Sequence, residues 1–486
     1  MGMTLRRLAA DLGCRTTGAD VRVSGVALDS RCVDRGDVFA ALPGTHLDGR
    51  QFIDDAIQRG AVALLVAEGD EVAAPLPCIV SASARADAAR AAHVLEGHPG
   101  SELEIVGVTG TNGKTTTTWL LQHLLSSEVE RFGCLGTVSF RAGAGARAST
   151  HTTPDPVSLA RLLAEMREAG LAGTALEVSS HALAQDRVAG LRFAGVAFTN
   201  LTRDHLDYHG SLSDYLSAKL MMLDHLCDDA PVVFPSADLA FAPAIVGRPG
   251  ALGFGRDAAA DVRILDESHR PDGSTFGLAT PWGHLALSSP LLGPFNASNV
   301  AAAVALGLAL GRQPDVLATR LATFAGIPGR MQRITRPGAP LVVVDYAHTP
   351  DAVAKALDAC RSACSGRLLA VVGAGGDRDR GKRPLMGVAA QRHADVVVLT
   401  SDNPRSEDPD RILDDMAAGI EPDKGPVLRE VDRAVAIRTA IEQGRPGDCV
   451  AILGKGHEDY QEVGGVRRPF SDADIASAVL AEAARG

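Results

Sequence analysis

The stretch Val106-Gly107-Val108-Thr109-Gly110-Thr111-Asn112-Gly113-Lys114-Thr115-Thr116 concentrates the residue types that handle phosphate. Glycines let backbone N–H groups crowd an anion, and a helix beginning at that point adds the positive end of its dipole. The apolar run 103–108 predicts a buried strand, and Trp119, Leu120, Leu124 and Leu125 space a helix after the turn. Lys114 can then reach the β- and γ-phosphates while the Thr115 hydroxyl ligates Mg2+. The general spacing of such loops puts glycine where this chain has Val108, and Gly110 carries the turn instead. Strand, glycine turn, Lys-Thr and helix in that order predict a nucleoside triphosphate site.

Two further groups of polar residues follow apolar strands. Glu177 closes Thr174-Ala175-Leu176 and leads into Ser179-Ser180-His181, and Thr199 to Asp207 closes the next strand with His205 inside it. A carboxylate and an imidazole beside a phosphate loop suit Mg2+. Capping of loops by Ser, Thr and Asp explains the same residues equally well. Lys219, within Tyr215-Leu216-Ser217-Ala218-Lys219, reads by itself as a lysine that reaches solvent. Toward the C-terminus, charged loops begin at Asp345, Gly375, Ser401 and Gly454, each after an apolar strand. Arginines there suit carboxylates and Glu458 suits an ammonium, so the implied ligand is zwitterionic, such as an amino acid.

These loops need sheets to hold them. The 486 residues exceed one core and predict three domains, 1–98, 99–330 and 331–486. Strands are expected at 103–109, 173–178, 194–199 and 231–234, with helices at 114–125, 157–169, 213–226 and 297–310. That alternation predicts a central α/β domain with a mostly parallel sheet. After Arg330 it restarts, with strands at 341–345, 367–372, 395–400 and 449–453, as in a Rossmann-like domain whose ligands sit at the carboxyl ends of the strands.

Bulk composition narrows the classes. A net charge of −11 argues against broad nucleic-acid binding. Eight scattered cysteines suit a reducing compartment. The longest apolar run, 301–310, is about half of the ~20 residues a membrane span needs, and Asp11 interrupts the short apolar run after Arg6-Arg7. A cytoplasmic protein with no membrane insertion is expected.

The strings 109–116, Glu177-Val178-Ser179-Ser180-His181, 200–209, Phe295-Asn296-Ala297-Ser298-Asn299, Gly329-Arg330-Met331 and 345–350 resemble the Mur ligases of peptidoglycan synthesis. Asp402-Asn403-Pro404-Arg405 and the string 454–461 resemble the branch of that family that adds meso-diaminopimelate. The resemblance runs through nearly the whole chain in the same order. It implies a monomeric enzyme with an N-terminal UDP-binding α/β domain, a central P-loop ATPase-like domain and a C-terminal domain that binds the amino acid. The implied reaction joins UDP-N-acetylmuramoyl-L-alanyl-D-glutamate to meso-diaminopimelate. ATP phosphorylates the D-glutamate γ-carboxylate, and the amine attacks the acyl phosphate. Other members of the fold family, adding L-lysine or D-Ala-D-Ala or extending folates, are the alternatives.

The same resemblance assigns roles. Gly110, Thr111, Asn112, Gly113, Lys114, Thr115, Thr116, Asn299, Arg330, Asp345 and His348 would contact ATP, the domain after Arg330 closing to bring in Arg330 and Asp345. Lys114, Glu177, His205 and Lys219 would be catalytic. Thr115, Glu177, His205 and a carbamylated Lys219 would hold Mg2+. Leu28-Asp29-Ser30-Arg31 and His46-Leu47-Asp48-Gly49-Arg50 match the family's first domain, with Ser30 taking the uridine diphosphate. Thr152, Thr153, Ser179, Gln185 and Arg187 would hold the muramoyl-dipeptide. Arg383, Asp402, Asn403, Arg405, Gly454 and Glu458 would form the diaminopimelate pocket. Arg405 would face the distal carboxylate that L-lysine lacks.

Overall fold

The structure is a computed structural model that describes residues 2–44, 47–70, 76–143, 145–149, 151–421 and 423–483; His46 lies outside them. The chain divides into two compact units, Met1–Arg263 with Ala301–Leu317, and Ile264–Val300 with Ala318–Gly486. The sequence reading separates the first 98 residues from the central region, whereas here both lie in one unit. Helix Ala84–Leu95 packs on helix Pro156–Glu168, and Ala86, Ala89 and Ala189 form a small buried cluster.

Besides the short pair Met3–Thr4 with Arg22–Val23, the first unit holds two larger sheets among the described residues. The N-terminal one has the order Arg15–Thr17, Cys78–Ser81, Ala63–Ala67, Asp37–Ala40, Gly25–Ala27, parallel except at the first pair. Alternation along its strands feeds two cores, as side chains in a strand must. Val38, Ala40, Ala63 and Leu65 pack under helices Leu5–Leu12 and Ala84–Leu95. Phe39, Leu64 and Val66 face Ala56 of helix Ile53–Arg59.

In the larger sheet, strand Glu104–Thr109 lies between Gly173–Glu177 and Gly195–Phe198, parallel to both. The register sets Val108 opposite Glu177 and Thr109 opposite Phe198. The loops at 110–113, 178–180 and 199–205 therefore leave the same edge. Strands Val232–Pro235 and Ala251–Gly255 extend the sheet on one side, Phe132–Leu135 and Ser139–Arg141 on the other. The helix expected over 213–226 is observed as Leu212–Leu220, tightening to a 3-10 turn at Met221–His225.

The second unit is doubly wound. Its sheet order is Gln332–Ile334, Leu341–Asp345, Cys449–Leu453, Leu368–Ala374, Val396–Ser401, Val427–Arg429, parallel except at the first pair. Val343, Ala370, Val372 and Ala451 face the helices Pro350–Ser362, Lys382–His393 and Pro409–Ala417. Val342, Leu369, Val371 and Ile452 face Arg433–Gln443 and Asp472–Ala483. Asp345 pairs with Leu453 and Ala374 with Ser401, so four loops leave at one edge. Two hairpins that the sequence reading did not anticipate, Gly273–Thr280 with Gly283–Ser289 and Tyr460–Val463 with Val466–Pro469, complete the unit. Among the described residues no helix is long and apolar enough to cross a membrane.

Candidate active site

Gly110 and Gly113 adopt φ +146° and +84°, values that L side chains rarely take. A Cβ on Gly110 would also run into Thr199 Oγ1. Helix Lys114–Leu125 starts at once after Gly113, with Thr115 and Thr116 both buried. The loop is tied down from the neighbouring strand end: Asn200 Oδ1 accepts from Asn112 N at 3.0 Å, and Thr111 Oγ1 donates to Thr202 O at 3.2 Å. Lys114 Nζ bonds Gly110 O and Thr111 O at 3.0 and 2.8 Å, folding over the turn.

Glu177 is fully buried. Its carboxylate accepts from Thr115 Oγ1 at 3.2 Å, from Thr137 N at 2.9 Å and from Thr137 Oγ1 at 3.0 Å. Gly136 makes room for it, since a Cβ there would strike the carboxylate. Lys219 is also fully buried, contrary to its reading as a solvent-reaching lysine, and donates to Gly110 O at 2.7 Å. Burial, and then the charge of Lys114, push the Lys219 ammonium down to about 6. His205 sits at φ +52°, its ring 5.0 Å from that of His181, with Asp204 Oδ2 3.6 Å from its Nε2.

Among the described residues no three His, Cys, Asp or Glu side chains form a metal cage on their own. That donor set still fits Mg2+, which is commonly held by one or two carboxylates together with waters and substrate phosphates. Thr115 Oγ1 and Glu177 are adjacent hard oxygen donors. Lys219 opposes a cation as an ammonium and favours one only as an anionic carbamate.

Five residues expected to hold the muramoyl-dipeptide form one network beside Glu177. Thr153 Oγ1 donates to Glu177 O at 2.9 Å and accepts from Ser179 N at 3.0 Å. Arg187 reaches Thr153 O at 3.0 Å and grips Gln185 Oε1 with Nε and Nη2 at 3.0 and 2.7 Å. Thr152 joins through Thr137 Oγ1 at 3.1 Å. Ser30 lies outside that network, buried in the turn Ser30–Cys32 that follows strand Gly25–Ala27.

In the second unit Asn299 is buried and donates to Asn296 Oδ1 at 3.1 Å. Gly329 has φ +63° and its Cβ would collide with the backbone at Gly456 and His457, so the segments interlock there. Asp345 accepts from Met331 N and Ala347 N at 2.7 and 2.9 Å; burial raises its carboxyl, opposed by Arg330. The Arg330 guanidinium lies 4.7 Å from the Tyr346 ring centre with Nε buried and unbonded. His348 shares a hydrogen bond with Tyr346 O at 2.8 Å.

Asp402, Asn403, Gly454 and Glu458 meet where strands Val396–Ser401 and Cys449–Leu453 end. Asn403 Nδ2 donates to Glu458 Oε2 at 2.7 Å, and a Cβ on Gly454 would stand 2.9 Å from Asp402 Oδ2. Arg405, at φ +55°, donates to Gly376 O at 2.6 Å.

Three family models match in order: the Mur ligase family catalytic domain over 22–97, the Mur ligase middle domain over 108–307 and the Mur ligase glutamate ligase domain over 329–456. The UDP-N-acetylmuramoyl-L-alanyl-D-glutamate--2,6-diaminopimelate ligase of Gloeobacter violaceus is 42% identical, covering 99% of this chain and 98% of the relative. The enzyme of that name in Alkalilimnicola ehrlichii is 44% identical, with 99% of each chain covered. The chain belongs to the Mur ligase family. A solved structure of a ligase of that name aligns over all of both chains at 35% identity and TM-score 0.72. MurF of Acinetobacter baumannii, 19% identical with TM-score 0.64 over 93% of this chain and 95% of its own, shares the fold.

In this Mur ligase one expected pocket residue is already engaged within the chain. The Arg383 guanidinium is buried and paired with Glu407 at 2.7 Å and Asp415 at 2.8 Å. These bonds brace helix Lys382–His393 and leave Nε buried without a hydrogen bond among the described residues. Arg378, in the same string, is exposed, makes no hydrogen bond or ion pair among the described residues, and flanks Gly375 together with Arg405. Both arginines come from the string 375–384, and sequence spacing does not say which one turns inward. Thr137 was missed altogether; it follows a strand in the unremarkable string Gly136-Thr137-Val138, and only its two bonds to Glu177 reveal it.

Proposed function

We propose that this chain is the ATP-dependent ligase that adds meso-2,6-diaminopimelate to UDP-N-acetylmuramoyl-L-alanyl-D-glutamate, through an acyl phosphate, in peptidoglycan precursor synthesis. The observation that carries the substrate choice is the pocket at the ends of strands Val396–Ser401 and Cys449–Leu453. Open oxygens of Asp402 and Glu458 suit an ammonium there, and Arg405, three residues after Asp402 on the same loop, suits a carboxylate. The full-length likeness to curated diaminopimelate ligases supports the same reading.

The residues divide the work. The N–H groups of 110–115 and the start of helix Lys114–Leu125 seat the phosphates, and Lys114 leaves its loop carbonyls for the transferring group. Thr115, Glu177, His205 and carbamylated Lys219 would hold Mg2+, which supplies charge neutralisation on the phosphates. With its ammonium pushed down to about 6, Lys219 is mostly a free amine at neutral pH, the form that takes up CO2. Thr152, Thr153, Ser179, Gln185 and Arg187 orient the muramoyl-dipeptide, and Ser30 takes the uridine diphosphate. Asn299, Arg330, Asp345 and His348 are proposed ATP contacts. ATP as co-substrate and a UDP-linked acceptor make the cytoplasm the proposed location.

The test is phosphate release from ATP with UDP-N-acetylmuramoyl-L-alanyl-D-glutamate, comparing diaminopimelate with L-lysine. An arginine left without its carboxylate partner costs about 2–5 kcal/mol, so diaminopimelate is expected to win by roughly 30-fold or more. Equal turnover with lysine overturns the role given to Arg405, and silence with both overturns the reading.

A further inference from the structure

Beneath the amino-acid pocket lies a lysine to which neither composition nor spacing draws attention. Lys455 follows strand Cys449–Leu453 and is fully buried. A lysine at that depth needs compensation. Its Nζ donates to Asn403 Oδ1 and to Glu458 Oε2, each at 3.1 Å, and stands 3.7 Å from Asp402 Oδ1. Glu458 Oε2 thus receives both Lys455 and Asn403, while Oε1 receives no hydrogen bond among the described residues. Asp402 is 7% exposed, and its carboxylate oxygens accept no hydrogen bond among the described residues. The cluster therefore consumes one oxygen of one carboxylate and leaves the others open.

Its frame is rigid. Arg433 and Asp472 form an ion pair at 2.7 Å with both side chains fully buried. Arg433 also donates to Ser401 O at 3.2 Å and Leu453 O at 3.1 Å, the carbonyls just before the two pocket loops. Arg433 and Asp472 cancel, so within the cluster Lys455 is the ammonium that stands between the carboxylates of Asp402 and Glu458. Without Lys455 those two carboxylates would face each other in a buried site.

We infer that Lys455 is a positioning residue of the amino-acid pocket: its ammonium holds one oxygen of Glu458 and the amide of Asn403, so that the other Glu458 oxygen and Asp402 receive the non-reacting ammonium of the incoming amino acid. The inference rests on the ligase reading above and adds a residue to it.

Steady-state kinetics of Lys455→Met test it. The KM for diaminopimelate is expected to rise roughly 10- to 100-fold, the range for losing a charged hydrogen bond. The KM values for ATP and the UDP-dipeptide stay within about twofold, as expected when only one pocket is touched. An unchanged KM for diaminopimelate, or an equal loss against all three substrates, overturns it. Should Lys455→Met fail to fold, the double variant Lys455→Met/Asp402→Asn removes one charge of each sign. Its KM for diaminopimelate should exceed that of Asp402→Asn alone, and equality overturns the assignment. Wild-type turnover with no change in the variant defeats the lysine assignment alone; no wild-type turnover with diaminopimelate defeats both readings.

Discussion

The phosphate loop of the first unit and the amino-acid pocket of the second handle buried charge in opposite ways. Around Gly110 two lysines crowd together, both donating to Gly110 O, and Lys219 is driven down to about 6. Burial there turns the second lysine mostly into a free amine at neutral pH. In the pocket at 402–458, Lys455 and Arg433 are instead held by carboxylates before any ligand arrives. The difference teaches a way to read buried cations: one held by a backbone carbonyl is pushed toward its neutral form, whereas one held by carboxylates is balanced by opposite charge.

Breaking the first site should cost most. Lys114→Ala removes the cation nearest the transferring phosphate, and phosphate release is expected to fall roughly 1000-fold or more with the fold retained by circular dichroism. Lys219→Ala comes next. A loss of roughly 100-fold is expected, partly restored by short carboxylates that stand in for the carbamate. A variant that ignores added carboxylate speaks against carbamylation.

The two neighbouring arginines sharpen the contrast within the second unit. Arg378→Ala should raise the KM for diaminopimelate roughly 10-fold and leave the melting temperature alone, since a surface side chain without partners is removed. Arg383→Ala removes the cation that Glu407 and Asp415 share and should lower the midpoint of a denaturant titration. The reverse pattern would place Arg383 in the pocket.

A change in pH dependence rather than in turnover is expected in helix Ala84–Leu95, away from the phosphate loop. His93 is buried with neither ring nitrogen hydrogen-bonded, and burial pushes it down to about 4. Its folded value lies below the unfolded one, near 6.5, so the unfolded chain takes the proton first. Its contribution is intact above pH 6.5 and lost as pH falls toward 4, by up to about 3 kcal/mol. Thermal unfolding between pH 7 and 4.5 should show a shallower decline for His93→Phe than for the natural chain.

Legibility in the sequence followed contiguity. The strand, turn and helix around Lys114 are neighbours in the chain, so their spacing reports their geometry directly. Strands such as Leu341–Asp345 and Cys449–Leu453 announce themselves as unbroken apolar runs because both faces of the sheet are covered. Lys219 is opaque by the same logic: Tyr215 lies one turn before it in its own helix, but nothing there states that the distant Gly110 closes over it. The family resemblance, not the spacing, singled it out. Arg383 shows what residue type leaves out: a guanidinium suits a carboxylate, and packing brings it those of Glu407 and Asp415 in its own chain.

The amino-acid sequence by itself determined the elements and the local chemistry: the glycine turn that only small residues permit, the doubly covered strands and the polar strings at their ends. Tertiary structure alone decided which charges are spent within the protein and which are left for ligands. The physical reason is range. Backbone conformation and hydrophobic period act over a few residues, whereas the pairing of Lys455 with Asn403, of Arg433 with Asp472 and of Thr137 with Glu177 joins groups far apart in the chain that only packing brings within hydrogen-bond distance.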